Sequence, residues 1–332
     1  MSEKPNRMQE FEALRGLSIL LLLALHSEVF DASVFGFDVG PLSGVVASLL
    51  LGSFFFLAGF FAELSRQRGN ILAFMKSKFI RIFPPYWLAL ALFIFVLGYT
   101  LKRFDTAVYV ANMQWLLSPT FVKRVLTLWY ISVLVGYYIL FGILLFTVKS
   151  NLGLFIASVV VFGVTYLTNL IFGLFEPRFF QYYFVFLAGI FFFRFESIRK
   201  RLMDVKLFFT VVVAAIAILP FWVVSAGDYE ITHPLYILTA LLFILGWVWM
   251  LLSFFRLPLG GWKFWAILST ASFFTYLYHR PIWYLLNVAV GLEEGGIAKV
   301  FFNLIPGSIV ALGIGYFLQR GYDRLLASLH LK

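Results

Sequence analysis

The sequence predicts an all-α, polytopic membrane protein of about ten transmembrane helices, with both termini cytoplasmic and residues 1–332 forming a single membrane-embedded domain. Three observations carry this. Hydrophobic residues make up 62% of the chain and charged residues 13%, about half the charged share of a soluble globular domain. The apolar residues fall in blocks close to the roughly 20 residues a helix needs to cross the hydrocarbon core, where helices and closed barrels alone satisfy their own backbone. Basic residues gather in alternate connections and acids in the others, as the positive-inside rule requires of a multi-pass protein.

The predicted spans cover residues 13–30, 41–62, 84–101, 125–147, 152–172, 179–193, 207–225, 235–254, 266–286 and 299–318. The first follows a basic N-terminus, but Leu25-His26-Ser27-Glu28 makes a poor small-residue cleavage site, so it reads as a retained span. Lys4 and Arg7, then Arg66 to Arg81, Lys149, Arg194 to Lys206, Arg256 with Lys263, and Arg320 to Lys332 mark the cytoplasmic connections. Asp31 and Asp38, Asp228 and Glu230, and Glu293 and Glu294 mark the outer ones. Trp87, Trp222, Trp262 and Trp265 fall near span ends, where interfacial aromatics belong.

This arrangement also accounts for the net charge of +10. The cations are scattered between apolar blocks, which excludes a nucleic-acid partner and leaves membrane lipids as the expected surroundings. Cysteine is absent, so disulfides, thiolate metal sites and a cysteine nucleophile are excluded. No bound metal or cofactor is expected.

Chemistry must then lie in polar residues within the spans, which are expensive in lipid unless they face a protein interior. Arg15 and His26 share the first span. Eleven residues at 100° each bring them within about 20° on the helix wheel and about 16 Å apart in rise, with Arg15 near the inner interface and His26 near mid-membrane. A neutral imidazole suits proton removal from an acceptor hydroxyl, although a packing histidine is the bland alternative. Between the second and third spans, Arg66 to Trp87 alternates apolar and basic residues, which predicts a short helix lying on the membrane surface. Its cations suit either phosphate groups or anionic lipid. Trp129 and Tyr138 in the fourth span and Tyr278, His279 and Arg280 in the ninth are the other polar candidates for lining a cavity. Ser48, Gly52, Ala58 and Ala62 read as close-packing positions, and His233 and His330 as solvent-facing.

Arg15-Gly16 followed by His26 resembles the Arg-X10-His pattern of the membrane acyltransferase-3 family, which O-acylates cell-surface carbohydrates and related acceptors. Ser53-Phe-Phe-Phe-Leu-Ala-Gly59-Phe60 resembles its "FFxxSGF" block, Lys78-Phe-Ile-Arg81-Ile-Phe-Pro84 its "RxxRIxP" block, and Tyr276-Leu-Tyr278-His279-Arg280-Pro281 its "YLxHxP" block. The four blocks occur in order over nearly the whole chain. The resemblance implies a ten-helix enzyme of the cell (inner) membrane with acyl-CoA, acetyl-CoA foremost, as donor and a carbohydrate or lipid-linked glycan as acceptor. It implies His26 as catalytic base, with Arg15, Lys78 and Arg81 on the donor.

Two departures stand out. Lys78 replaces an arginine of the basic block, and Leu134 and Val135 occupy positions that are acidic in many members, which points to a branch with its own acceptor. Ser18, on the stripe below His26, offers a hydroxyl for a covalent acyl-enzyme. A secondary transporter or flippase is the alternative function, although repeated halves and intramembrane acids are not evident. A photoreceptor is excluded because no lysine lies mid-span to hold a retinal.

Overall fold

The computed structural model describes residues 8–30, 40–227, 229–293 and 295–330. Lys4, Arg7, Asp31, Asp38, Asp228, Glu294 and Lys332, which carry part of the charge asymmetry, lie outside the described residues. The fold is all-helical. It runs α1 (Gln9–His26), α2 (Gly40–Arg66), α3 (Ile71–Phe95), α4 (Arg103–Val110), α5 (Gln114–Leu117), α6 (Leu128–Thr147) and α7 (Asn151–Phe172). It continues with α8 (Pro177–Arg194), α9 (Glu196–Met203), α10 (Leu207–Ala226), α11 (Pro234–Phe255), α12 (Lys263–Val290), α13 (Ile297–Phe302), a π-turn (Asn303–Gly307) and α14 (Ser308–Ser328).

Among the described residues seven stretches are long and apolar enough to cross a membrane: Leu42–Arg66, Ile71–Phe95, Leu128–Thr147, Asn151–Phe172, Leu207–Ala226, Pro234–Phe255 and Ile297–Ser328. An eighth is added if α8 and α9, bent by 97° at their junction, form one span. The first and ninth predicted spans are helices too, but α1 carries Glu10, Glu12 and Arg15 and α12 carries a run of hydroxyl, imidazole and guanidinium groups. These two polar helices hold the candidate chemistry.

Two boundaries correct the sequence expectation. His26 is the last residue of α1, not a mid-helix residue. The predicted surface helix and third span are one continuous helix, α3, which passes through Pro84 and Pro85. Proline favours a first helical turn, which is why a helix start at Pro84 was expected; inside a helix it removes the bond to the carbonyl four residues back. For Pro84 that carbonyl belongs to Ile80, and the Tyr322 hydroxyl of α14 donates to it instead at 2.5 Å. The lost backbone bond is replaced by a tertiary one. Lys78 and Arg81 are thereby held on a helix that is steadied from a second element.

The bundle is closed by helix pairs that approach backbone to backbone. A Cβ on Gly59 would lie 2.0 Å from the Phe186 carbonyl oxygen, and one on Gly189 would lie 2.0 Å from that of Phe56, so only glycine permits the α2–α8 crossing. Around it Tyr137, Phe141, Phe179, Tyr183 and Phe186 form a continuous aromatic core between α6 and α8. Gly52 is a close-packing position against Ile244, but Ser48 is more than that, because Gln181 donates to its hydroxyl at 3.1 Å. At one end of the bundle the fully buried Glu63 pairs with Arg66 at 2.6 Å and Arg194 at 3.2 Å. At the other, buried Glu176 pairs with Arg124 at 3.1 Å. His233, expected in solvent, is half-buried and accepts from Leu235 N at 3.2 Å to cap α11. His330 is exposed.

Candidate functional site

A cavity of about 500 Å³ opens at the end of the bundle where α1 begins, α2 ends and α14 ends. That volume lies within the ordinary range for small-molecule sites, roughly 300–1,000 Å³. Its cations are Arg15 from α1, Arg68 beyond α2, and Lys78 and Arg81 from α3. Lys78 donates to Ser65 Oγ at 3.2 Å, and its ammonium sits 4.7 Å from the Tyr138 ring centroid. Elsewhere in the bundle, ion pairs engage Glu63, Glu176, Glu196 and Asp204. Four positive groups around one cavity, with Asp323 the acid in its lining, form a receptor for an anion.

At the inner end of the cavity lining stand the buried residues Tyr130 and Tyr276, whose ring centroids are 4.9 Å apart. The Tyr276 hydroxyl donates to the Thr127 carbonyl. Thr127 adopts φ +69°, a conformation costly for a β-branched residue, so the loop at this point is held against its preference.

One turn past Tyr276 lies a histidine pair. His26 Nδ1 and His279 Nε2 are 2.8 Å apart, with the rings nearly parallel at 7°. His279 is fully buried, and its Nδ1 lies 3.0 Å from both the Thr275 and Tyr276 carbonyl oxygens. Those oxygens only accept, so Nδ1 carries the proton and Nε2 accepts. His26 Nδ1 must then be the donor. The hydrogen-bond chain assigns the tautomer of His26 and leaves its Nε2 with the lone pair. Arg280 adjoins the pair, within electrostatic reach of His26, and its Nε has no hydrogen-bond partner among the described residues.

The sequence candidates therefore divide. Arg15, Lys78, Arg81 and Tyr138 line one cavity, while His26, His279 and Arg280 form a second cluster beyond its inner end. Trp129 stands apart beneath Arg178, 4.4 Å from ring centroid to guanidinium, and Tyr278 spends its hydroxyl on the Pro85 carbonyl at 2.9 Å. Neither lines the cavity. Ser18 is fully engaged as well, donating to Leu14 O at 2.8 Å and 1% exposed. Leu134, at one of the positions acidic elsewhere in the resembled family, is part of the cavity wall. Sequence reasoning placed Arg68 only in the basic strip and did not assign Tyr130 or Tyr276 to a site, although the side-chain spacing Ser269, Ser272, Phe273, Tyr276 already marks one helical face of α12.

A family model described as an acyltransferase domain matches residues 8–320. The chain belongs to the acyltransferase-3 family. Comparisons with curated proteins and with solved structures find no match. The acyltransferase domain takes in both polar clusters and all four sequence blocks, from Arg15 to Pro281.

Proposed function

We propose that this acyltransferase moves an acyl group, acetyl foremost, from cytoplasmic acyl-CoA to a hydroxyl of a cell-surface or lipid-linked carbohydrate, across the cell membrane in which it spans about ten times with both termini inside. The observation that carries the proposal is the His26–His279 pair, because its tautomer leaves the lone pair of a half-buried imidazole nitrogen available just beyond a cation-lined cavity.

The cavity cations hold the phosphates of the donor, and Lys78 and Arg81 on α3 face them from one side and Arg15 from the other. The pantetheine arm extends inward past Tyr130 and Tyr276 to bring the thioester carbonyl to His26. His26 Nε2 takes the proton of the acceptor hydroxyl as its oxygen attacks that carbonyl. The resulting imidazolium is stabilised through His279, whose Nε2 accepts from His26 Nδ1. The tetrahedral intermediate collapses, the C–S bond breaks, and the proton on His26 leaves with the thiolate as free CoA thiol. Arg280, beside the dyad with its Nε free of a hydrogen bond among the described residues, offers positive charge to the oxyanion during that step. With Ser18 occupied, transfer is direct.

The experiment is acyl transfer from labelled acetyl-CoA by the purified protein and by His26→Ala. Loss of a general base costs on the order of 10²- to 10⁴-fold in rate, with the KM for acetyl-CoA little changed. A folded His26→Ala protein that retains turnover removes His26 from the mechanism.

A further inference from the structure

Three buried polar atoms beyond the histidine pair have no hydrogen-bond partner among the described residues: Trp283 Nε1, Asn287 Oδ1 and Asn303 Oδ1. Their residues are 4%, 7% and 5% exposed. Burial of an unpaired donor or acceptor is costly, and native folds rarely tolerate several together without a purpose. None of the three residues lines the cation-lined cavity.

Their placement is orderly. His279, Trp283 and Asn287 follow one another at four-residue intervals on α12, so the stripe climbs about 6 Å per step away from the cavity. The His279 ring meets the Trp283 indole edge-on, with centroids 5.2 Å apart. Against the indole lies the π-turn that Asn303 opens: a Cβ on Gly307 would stand 3.0 Å from Trp283 Nε1, so glycine lets the turn close in on it. A π-turn inside a helix often marks a functional site. The opposite face of α12 at this level, with Tyr284, Leu285 and Val288, is exposed and meets lipid. One helix therefore lines the cation cavity with its first half and continues past His279 as a buried polar stripe toward the other face of the membrane.

We infer that this stripe is the acceptor passage, and that Trp283, Asn287 and Asn303 bind a neutral polyol, a sugar ring presenting adjacent hydroxyls; the inference rests on the acyltransferase function proposed above. The unmet needs are one N–H donor and two carbonyl acceptors. A hydroxyl both donates and accepts, so a polyol meets all three. An anion would be repelled by the two amide oxygens, and an ammonium would leave the indole N–H unmet. The apolar C–H face of a sugar also packs on an indole ring, as aromatic platforms require.

The chain contains no cysteine, so Asn287→Cys and Asn303→Cys each place a single thiol in the full-length protein. Whole cells treated with a membrane-impermeant methanethiosulfonate should label both at least tenfold faster than Ser158→Cys, whose native hydroxyl is fully buried and held by Leu154 O. Labelling no faster than that control, or labelling only from the cytoplasmic face, overturns the passage. In the second arm Trp283→Phe keeps the ring and removes the N–H. With acetyl-CoA and the methyl glycoside that the wild type acylates best in a panel, the glycoside KM should rise about tenfold, several times more than any change in the acetyl-CoA KM. An unchanged glycoside KM overturns the subsite. If the wild-type protein turns over no thioester at all, the proposed function falls, and the passage still stands or falls on the labelling rates.

Discussion

At the scale of single residues, the chemistry depends on where one proton resides. His279 is locked by two carbonyls of its own helix, and that lock is passed across a 2.8 Å contact to His26. In the proposed mechanism His279 is thus a positioning residue. Replacing His279 with Leu removes the acceptor for His26 Nδ1 and lets the ring rotate or change tautomer, so kcat should fall at least tenfold with the acetyl-CoA KM unchanged. His279→Gln restores an acceptor oxygen and should recover part of that loss. Equal activity in both variants would show that the contact is packing alone. The same logic separates His279 from Tyr278 beside it, whose hydroxyl is committed to the Pro85 carbonyl and which braces α12 against α3.

At the scale of elements, α3 shows what a linear pattern conceals. Pro84 and Pro85 look like a helix start, and the basic residues before them look like a surface strip, until the chain is folded and Tyr322 reaches Ile80 from 242 positions away. Removing that donor with Tyr322→Phe leaves a half-buried carbonyl unmet in apolar surroundings, a loss of about 1–3 kcal/mol. The thermal midpoint of the detergent-solubilised protein should fall, and donor affinity with it, because Lys78 and Arg81 ride on this stretch of α3. The first helix was far more legible. Arg15 and His26 fall on one stripe by arithmetic alone, and α1 does turn both toward α12 and its neighbours, although the helix ends at His26. Periodicity finds a face; it cannot find which distant residue will repair a break, or that Trp283 will meet a π-turn formed more than twenty positions later.

At the scale of the whole molecule, composition alone specified a helical membrane protein, and four short blocks pointed to its family. What composition could not specify was the division of the polar residues into two clusters, because that depends on how α12 packs between α1 and α14. The proposed orientation rests on the cations that frame the cavity and on the charge of the connections. A reporter that fluoresces only in the cytoplasm, fused after Lys332, should therefore light up in cells. A dark but intact fusion would invert the membrane orientation and, with it, the side from which the donor arrives.

The contact between Tyr130 and Tyr276 has a consequence for the resting protein. If the donor arm passes between these rings as proposed, their packing in the empty protein separates the cation-lined cavity from the histidine pair. On the proposed mechanism the rings part to admit a loaded donor, against the hold of the hydrogen bond from Tyr276 to the Thr127 carbonyl.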